Sequence, residues 1–179
     1  MKSSLINFLT ASRMLLGAII FLLLTRTDFY WTALLLFFIA GITDYFDGYL
    51  ARKYKAESEI GEILDPIADK ILIIFLLFAI SVSLASFYIA FTGALIIVRE
   101  VWVGALRDYN ARQSRSDATK VTFLAKIKTT IQLFTISIYL LGLSLNNMLI
   151  LLFADIFLFI SLLITIYTGY QYSLNSLKK

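Results

Sequence analysis

The sequence contains no cysteine, no histidine and a single proline, and only 16% of its residues are charged. Without cysteine the chain has neither a thiol nucleophile nor a disulfide, and without both residue types it has no Cys/His zinc site. Histidine is also the side chain that most often acts as an acid or base near neutral pH. Any acid–base chemistry must therefore come from aspartate, glutamate, lysine or tyrosine.

Apolar residues are abundant instead. They make up 60% of the 179 residues, and the mean hydropathy is +0.84, whereas typical soluble domains are about 45–50% apolar. A membrane-crossing helix needs roughly 20 mostly apolar residues, and six stretches meet that requirement: about 5–25, 29–50, 66–86, 88–107, 121–142 and 148–170. The sequence therefore predicts an all-α, polytopic membrane protein with six transmembrane helices in a single domain, residues 1–179.

The basic residues predict how these helices are oriented. Every lysine and arginine except Arg26 lies at the termini or around the polar segments 51–64 and 108–120, which all fall on one side of the predicted spans. Cytoplasmic loops carry an excess of lysine and arginine. We therefore expect both termini and both polar segments in the cytoplasm, in an integral multi-pass protein of the inner or plasma membrane.

Four aspartates lie where the second span ends and the third begins. They form two pairs, Asp44 with Asp47 and Asp65 with Asp69, whose spacings of three and four residues place each pair on one helix face. Antiparallel spans would bring the pairs together, and carboxylates without histidine or cysteine are typical ligands of Mg²⁺, Mn²⁺ or Ca²⁺. A structural alternative exists for Asp65, because an aspartate before Pro66 favours the start of a helix.

A second group of charged residues lies in spans four and five. Arg99 and Arg107 are about two turns apart on one face of span four, and Lys126 and Lys128 enter span five from the same side. Cations at a cytoplasmic opening suit a small phosphate, although the lysines could instead extend their side chains to the membrane interface. Glu100 follows Arg99 directly, but adjacent helical residues do not face each other, so we do not expect these two to pair.

Residues 44–69 combine the aspartates with small and basic residues in one pattern. They read Asp-x2-Asp-Gly-x2-Ala-Arg-x8-Gly-x3-Asp-x3-Asp, which resembles the signature of the CDP-alcohol phosphotransferase family at all eight fixed positions. The resemblance implies two divalent ions, Mg²⁺ or Mn²⁺, held by Asp44, Asp47, Asp65 and Asp69, and it implies that Asp69 is the general base. It also implies a pocket for the cytidine and diphosphate of CDP-diacylglycerol formed by Gly48, Ala51, Arg52, Ser58 and Gly61.

Stretches outside the signature resemble the branch of this family that uses glycerol 3-phosphate. They are residues 61–70, the Arg99-Glu100 pair with Arg107, and the segment Lys126-Ile127-Lys128-Thr129 with Gln132. Asn7, Thr10 and Arg13 match the opening pattern of that branch, whereas Ile6 and Ala125 replace its usual proline and glycine. The expected reaction is transfer of the phosphatidyl group of CDP-diacylglycerol to sn-glycerol 3-phosphate, which yields phosphatidylglycerophosphate and CMP. The acceptor phosphate would bind at Arg99, Arg107, Lys126 and Lys128.

Two other functions remain open. A sibling enzyme with another acceptor alcohol, such as a cardiolipin synthase of the CDP-diacylglycerol type, shares the Leu-Asp-Pro-x-Ala-Asp-Lys stretch. A divalent-cation channel or carrier would need a path to the outer face, where the predicted loops are short and nearly uncharged. The family usually forms homodimers, so we expect one, and we expect no nucleic-acid partner. For Asp155 in span six we expect only a hydrogen bond to a neighbouring helix.

Overall fold

The described part of the chain forms a bundle of six helices. The computed structural model describes residues 2–54, 59–113 and 123–177, without the side chains of 2–9, 47–52, 54, 59–60, 62–63 and 65–66. The helices are α1 (Lys2–Arg26), α2 (Tyr30–Tyr54), α3 (Glu59–Ser83), α4 (Phe87–Arg112), α5 (Phe123–Leu145) and α6 (Met148–Leu177). Since these residues contain no β-strand, the all-α prediction is confirmed.

Two tight turns connect consecutive helices into hairpins. Ala85 and Asn146 have positive φ angles of 46° and 47°, and they reverse the chain between α3 and α4 and between α5 and α6. Ser86 then begins α4, because its side chain accepts a hydrogen bond from the Ile89 backbone N–H. The side chain of Asn147 accepts hydrogen bonds from N–H groups in the first turn of α6. The short connections make each pair of helices antiparallel neighbours.

The bundle is apolar both at its centre and around its outside. Helix α1 packs against α2 and α3, α4 packs against α3 and α6, and α5 packs against α2, α3 and α6. Ile80 and Leu140 in the core are fully buried, whereas Phe38, Phe87 and Leu149 point outward and are exposed. Large apolar side chains over the outer surface are expected of helices surrounded by lipid.

Three helices in the described part of the chain are long and apolar enough to cross a membrane, namely α4, α5 and α6. In α2 the apolar part is the shorter segment Tyr30–Phe46. These helices indicate that the chain is a membrane protein. The six-span topology and the cytoplasmic position of the termini stay predictions.

The end of the bundle opposite the candidate site contains the carboxylate of Asp155. The Tyr139 hydroxyl donates a hydrogen bond of 2.5 Å to Asp155 Oδ1, and the Tyr88 hydroxyl donates one of 3.0 Å to the Asp155 backbone oxygen. These bonds link α4, α5 and α6, so the expected hydrogen bond between Asp155 and a neighbouring helix is confirmed.

The third helix begins earlier than the sequence predicts. We expected a span from about residue 66, with Asp65 and Pro66 as a possible helix start, but α3 begins at Glu59 and Pro66 lies inside it. A proline this far inside a helix removes one backbone hydrogen bond. Gly61 and Ala68 on either side are buried in the bundle, and packing of this kind outweighs a single lost hydrogen bond. Residues 51–54 and 59–64 of the predicted polar connection 51–64 therefore belong to α2 and α3.

Candidate active site

Arg13 in the first helix joins two of the four aspartates. Its Nη1 atom lies 2.7 Å from Asp44 Oδ1 and 2.6 Å from Asp69 Oδ1, and only 1% of its side chain is exposed. A buried guanidinium stays charged and therefore requires anionic partners. The contact brings Asp44 of α2 and Asp69 of α3 into one group, which we call the acidic centre. Each of these carboxylates keeps about half of its surface accessible (50% and 48%).

Most of the other residues predicted to bind the metal ions or CDP-diacylglycerol have no described side chain. The helical backbone passes through Asp47 in α2 and Asp65 in α3, so both keep the predicted spacing from their partners. Gly48, Ala51 and Arg52 are likewise described only by their helical backbone, and Ser58 lies outside the described residues. Gly61 is a buried position of α3. Within the described residues no group of three or more possible metal-ligating side chains occurs. The predicted metal site thus stays a prediction.

The predicted phosphate-binding cations lie around one cavity. It has a volume of about 430 Å³ and is lined by residues of α3, α4 and α5, and we call it the cationic cavity. Its charged lining residues are Asp69, Lys70, Arg99, Glu100, Arg107, Lys126 and Lys128. Five of these seven side chains are cationic, so the cavity carries a net positive charge that favours an anion. The rest of the wall is largely apolar and includes Ile73, Ile96 and Val103.

Glu100 pairs with two of these cations, contrary to our expectation. Its Oε1 atom accepts a hydrogen bond of 2.9 Å from Arg99 Nη1 and also pairs with the Lys128 ammonium group. The expectation was wrong because it considered only the directions of the Cβ atoms. Both side chains are long enough to turn toward each other, and burial away from water strengthens the attraction between their charges. Glu100 consequently links α4 to α5 at the wall of the cavity.

Helix α6 adds contacts to the arginines that the sequence analysis missed. Arg99 Nη2 donates a hydrogen bond of 2.6 Å to Thr168 Oγ1, and the guanidinium carbons of Arg99 and Arg107 lie 5.8 Å and 5.4 Å from the centre of the Tyr172 ring. The sequence contains a signal for this face, because Ser161, Thr165, Thr168, Gly169, Tyr172 and Ser176 recur at helical spacing within an apolar span. Arg13 was also missed as a site residue, although an arginine inside a predicted span is a functional candidate.

Asp69 is the residue that the acidic centre and the cationic cavity share. One side of this carboxylate contacts Arg13, and the residue also lines the cavity with the four predicted cations. A carboxylate in this position can accept a proton from a hydroxyl group whose molecule is held in the cavity by an anionic group. The arrangement is suited to a reaction between a ligand at the acidic centre and an anionic alcohol in the cavity.

Comparison with known proteins finds relatives over most of the chain. The family model described as CDP-alcohol phosphatidyltransferase matches residues 4–167. The chain is similar to the CDP-diacylglycerol–glycerol-3-phosphate 3-phosphatidyltransferases of three bacteria. It is 41% identical to that of Cereibacter sphaeroides over 83% of this chain and 68% of the relative. For the relative in Rickettsia bellii the identity is 43%, over 77% and 75%, and for that in Rickettsia typhi it is 38%, over 93% of both chains. The family match ends just before Thr168, so the α6 contacts to the arginines lie beyond it.

Proposed function

Because the chain belongs to the CDP-alcohol phosphatidyltransferase family, we propose that it transfers the phosphatidyl group of CDP-diacylglycerol to sn-glycerol 3-phosphate. The products are phosphatidylglycerophosphate and CMP, and the reaction serves the synthesis of anionic phospholipids. Relatives that carry this activity in their names align over most of the chain. The single structural observation that carries the proposal is the position of Asp69, which belongs to the acidic centre and to the cationic cavity at once.

The acidic centre fits the divalent cations on which this family depends. Asp44 and Asp69 come from different helices and already converge on one cationic atom, and their oxygens are hard donors suited to Mg²⁺ or Mn²⁺. We propose that Asp47 and Asp65, on the same two helices, complete a set of four ligands for two ions. When bound, such ions neutralise the diphosphate and stabilise charge on the departing CMP. Gly48, Ala51, Arg52, Ser58 and Gly61 form the proposed pocket for the cytidine and diphosphate.

The cationic cavity holds the acceptor in this proposal. Its net positive charge and its two arginines suit the phosphate of glycerol 3-phosphate, with Arg99, Arg107, Lys126 and Lys128 as the binding residues. The acceptor hydroxyl then lies beside Asp69, which takes its proton. The hydroxyl oxygen attacks the β-phosphorus of CDP-diacylglycerol, a new P–O bond forms, and CMP leaves with the electron pair of the bond that breaks.

The location of the site follows from the two substrates. CDP-diacylglycerol reaches the site from the inner leaflet and glycerol 3-phosphate from the cytoplasm, so the site belongs at the cytoplasmic face of the inner or plasma membrane. We propose six membrane spans with both termini on that side, and a homodimer as the assembled form. The three long apolar helices support the membrane location.

The alternative acceptors differ in charge and size. A cardiolipin synthase would take phosphatidylglycerol, a second lipid, whereas a cavity of about 430 Å³ with five cationic side chains favours a small anionic alcohol. In a cation channel, such a positively charged wall beside the carboxylates would repel the ions that pass through. Both observations favour glycerol 3-phosphate as the acceptor.

A direct assay tests the function. Purified protein in detergent micelles is given CDP-diacylglycerol, Mg²⁺ and labelled glycerol 3-phosphate, and we expect CMP release and lipid-soluble label in equal amounts. Chelation of the metal should stop both, and added Mg²⁺ or Mn²⁺ should restore them. Parallel reactions contain labelled phosphatidylglycerol, serine or inositol phosphate instead. Transfer to one of these and none to glycerol 3-phosphate would contradict the proposed acceptor.

A further inference from the structure

Tyr172 of α6 lies behind the arginine pair, outside the lining of the cationic cavity. Its side chain is buried, with 2% of the residue exposed. Its ring has the guanidinium carbon of Arg99 at 5.8 Å and that of Arg107 at 5.4 Å from its centre. Both distances fall within the range of about 6 Å in which a cation is attracted to an aromatic ring. One buried ring therefore interacts with both guanidinium groups.

The two arginines repel each other and differ in their other partners. Both carry a positive charge on one face of α4, so they repel each other. Arg99 has Glu100 as an anionic partner. Arg107 forms no ion pair within the described residues, and its guanidinium group lies over the ring of Tyr172 instead. The negative face of an aromatic ring offsets part of the repulsion without neutralising either charge. Both arginines also line the cationic cavity, so their charges face the space that an anion would occupy.

Two further residues of α6 restrain Arg99 directly. Thr168 accepts the 2.6 Å hydrogen bond from Arg99 Nη2. At Gly169, a Cβ atom would lie 2.9 Å from Arg99 Cγ and 3.1 Å from Arg99 Nε, closer than ordinary contacts allow. The base of the Arg99 side chain thus rests on the backbone of α6, and any larger residue at position 169 would push it away.

We propose that Thr168, Gly169 and Tyr172 are positioning residues that set the acceptor specificity of the enzyme. They hold Arg99 and Arg107 at a fixed spacing, so that a phosphate monoester binds without the entropy cost of ordering two long side chains. The proposal rests on the proposed function and extends the acceptor site to a helix that contributes no residue of its own to the cavity lining. It assigns the preference for a phosphorylated alcohol to residues beyond those that contact the phosphate.

Kinetics of Tyr172→Leu test the ring. We expect the KM for glycerol 3-phosphate to rise about tenfold, a factor between those of exposed and fully desolvated cation–π contacts, while the KM for CDP-diacylglycerol changes by less than about twofold. Tyr172→Phe keeps the ring and should restore the low KM. Tyr139→Leu removes a buried tyrosine at the other end of the bundle and serves as the matched control, with neither KM altered.

Gly169→Ala provides a second test that keeps every polar group. The added methyl group displaces Arg99, so we again expect a selective rise in the KM for glycerol 3-phosphate. Gly93→Ala is the matched control, because its Cβ would meet Leu77 only at 3.5 Å, an ordinary contact. If Tyr172→Leu does not fold, the comparison of the two alanine variants decides the question.

Stabilisation by inorganic phosphate separates this proposal from the proposed function. We expect phosphate to raise the midpoint of thermal unfolding of the wild type and to have a smaller effect on Tyr172→Leu and Gly169→Ala. Equal stabilisation of all three proteins, no stabilisation of any, or equal increases in both KM values, would overturn the positioning role. A wild type that binds phosphate but transfers nothing to glycerol 3-phosphate would instead overturn the proposed function.

Discussion

Among single residues, Asp69 and Arg13 show how burial and charge shape this site. Asp69 was predicted from its spacing and from the resemblance, and the structure brings it together with Asp44 and with the cavity. Arg13 lies 56 residues away in sequence from Asp69, and no local pattern connects the two. The directions of adjacent residues on a helix predict no pairing of Glu100 with Arg99. The length of the Glu100 side chain and its low-dielectric surroundings instead determine its partners, Arg99 and Lys128.

The role of Asp69 as a base can be tested by Asp69→Asn. The amide has the same size but cannot take a proton from the acceptor, so we expect transfer to fall by at least about 100-fold while the protein folds and binds CDP-diacylglycerol. Release of CMP is measured together with lipid binding. Asp108→Asn, at an exposed carboxylate of α4, is the matched control and should transfer at the wild-type rate. Wild-type turnover of Asp69→Asn would exclude the base role.

Arg13→Gln tests the link between α1 and the acidic centre. Each hydrogen bond to a charged group contributes about 1.5–3 kcal/mol. Because both carboxylates are half exposed and water screens the pairs, we expect the free energy of unfolding to fall by about 2 kcal/mol, less than the sum of two such bonds. Unfolding is followed in mixed micelles. The matched control is Arg112→Gln, whose partner Asp108 is exposed, and which should lose less than about 1 kcal/mol. Equal losses would contradict a larger contribution from the contacts of the buried Arg13 than from an exposed ion pair.

At the scale of helices, the apolar runs predicted the number and type of elements, while packing decided their ends. Helix α3 continues through Pro66 because residues on both sides of the proline are buried. Helix α6 is mostly apolar, and one of its faces carries small and polar residues that pack against α4 and α5. Such a face becomes meaningful only when the partner helix is known.

Gly142→Ala tests the close packing of α5 on α6. A Cβ atom at this position would lie 2.7 Å from Leu151 Cδ2 and 3.0 Å from Leu151 Cγ, so we expect a loss of about 1–3 kcal/mol in the free energy of unfolding. Gly41→Ala has no neighbouring atom within 4 Å and should gain up to about 1 kcal/mol from its higher helix propensity. Similar values for the two variants would contradict the tight contact.

For the whole molecule, the distribution of basic residues predicts which end of the bundle faces the cytoplasm. The acidic centre and the cationic cavity lie at the end that these residues surround, and the Tyr139–Asp155 contact lies at the other. The proposed function requires the first end to meet both the inner leaflet and cytoplasmic glycerol 3-phosphate.

The absence of cysteine makes this orientation measurable. Single cysteines replace Thr27, an exposed residue between α1 and α2, and Gln113, an exposed residue after α4. We expect a membrane-impermeant maleimide to label Thr27→Cys only from the outside and Gln113→Cys only in inverted vesicles, because the positive-inside rule places them on opposite sides. Labelling of both from one side would refute the predicted topology.

The sequence by itself determined the helical class, the apolar character and the positions of the acidic and basic candidates, because these depend on composition and on spacing along one helix. Only the tertiary structure decided which charged and polar side chains meet. Arg13 reaches Asp69 across 56 residues, and Arg99 reaches Thr168 across 69. In a low-dielectric interior every charged group needs a partner. Which partner lies within reach depends on how the helices pack, and the spacing of residues within a single helix does not specify that packing.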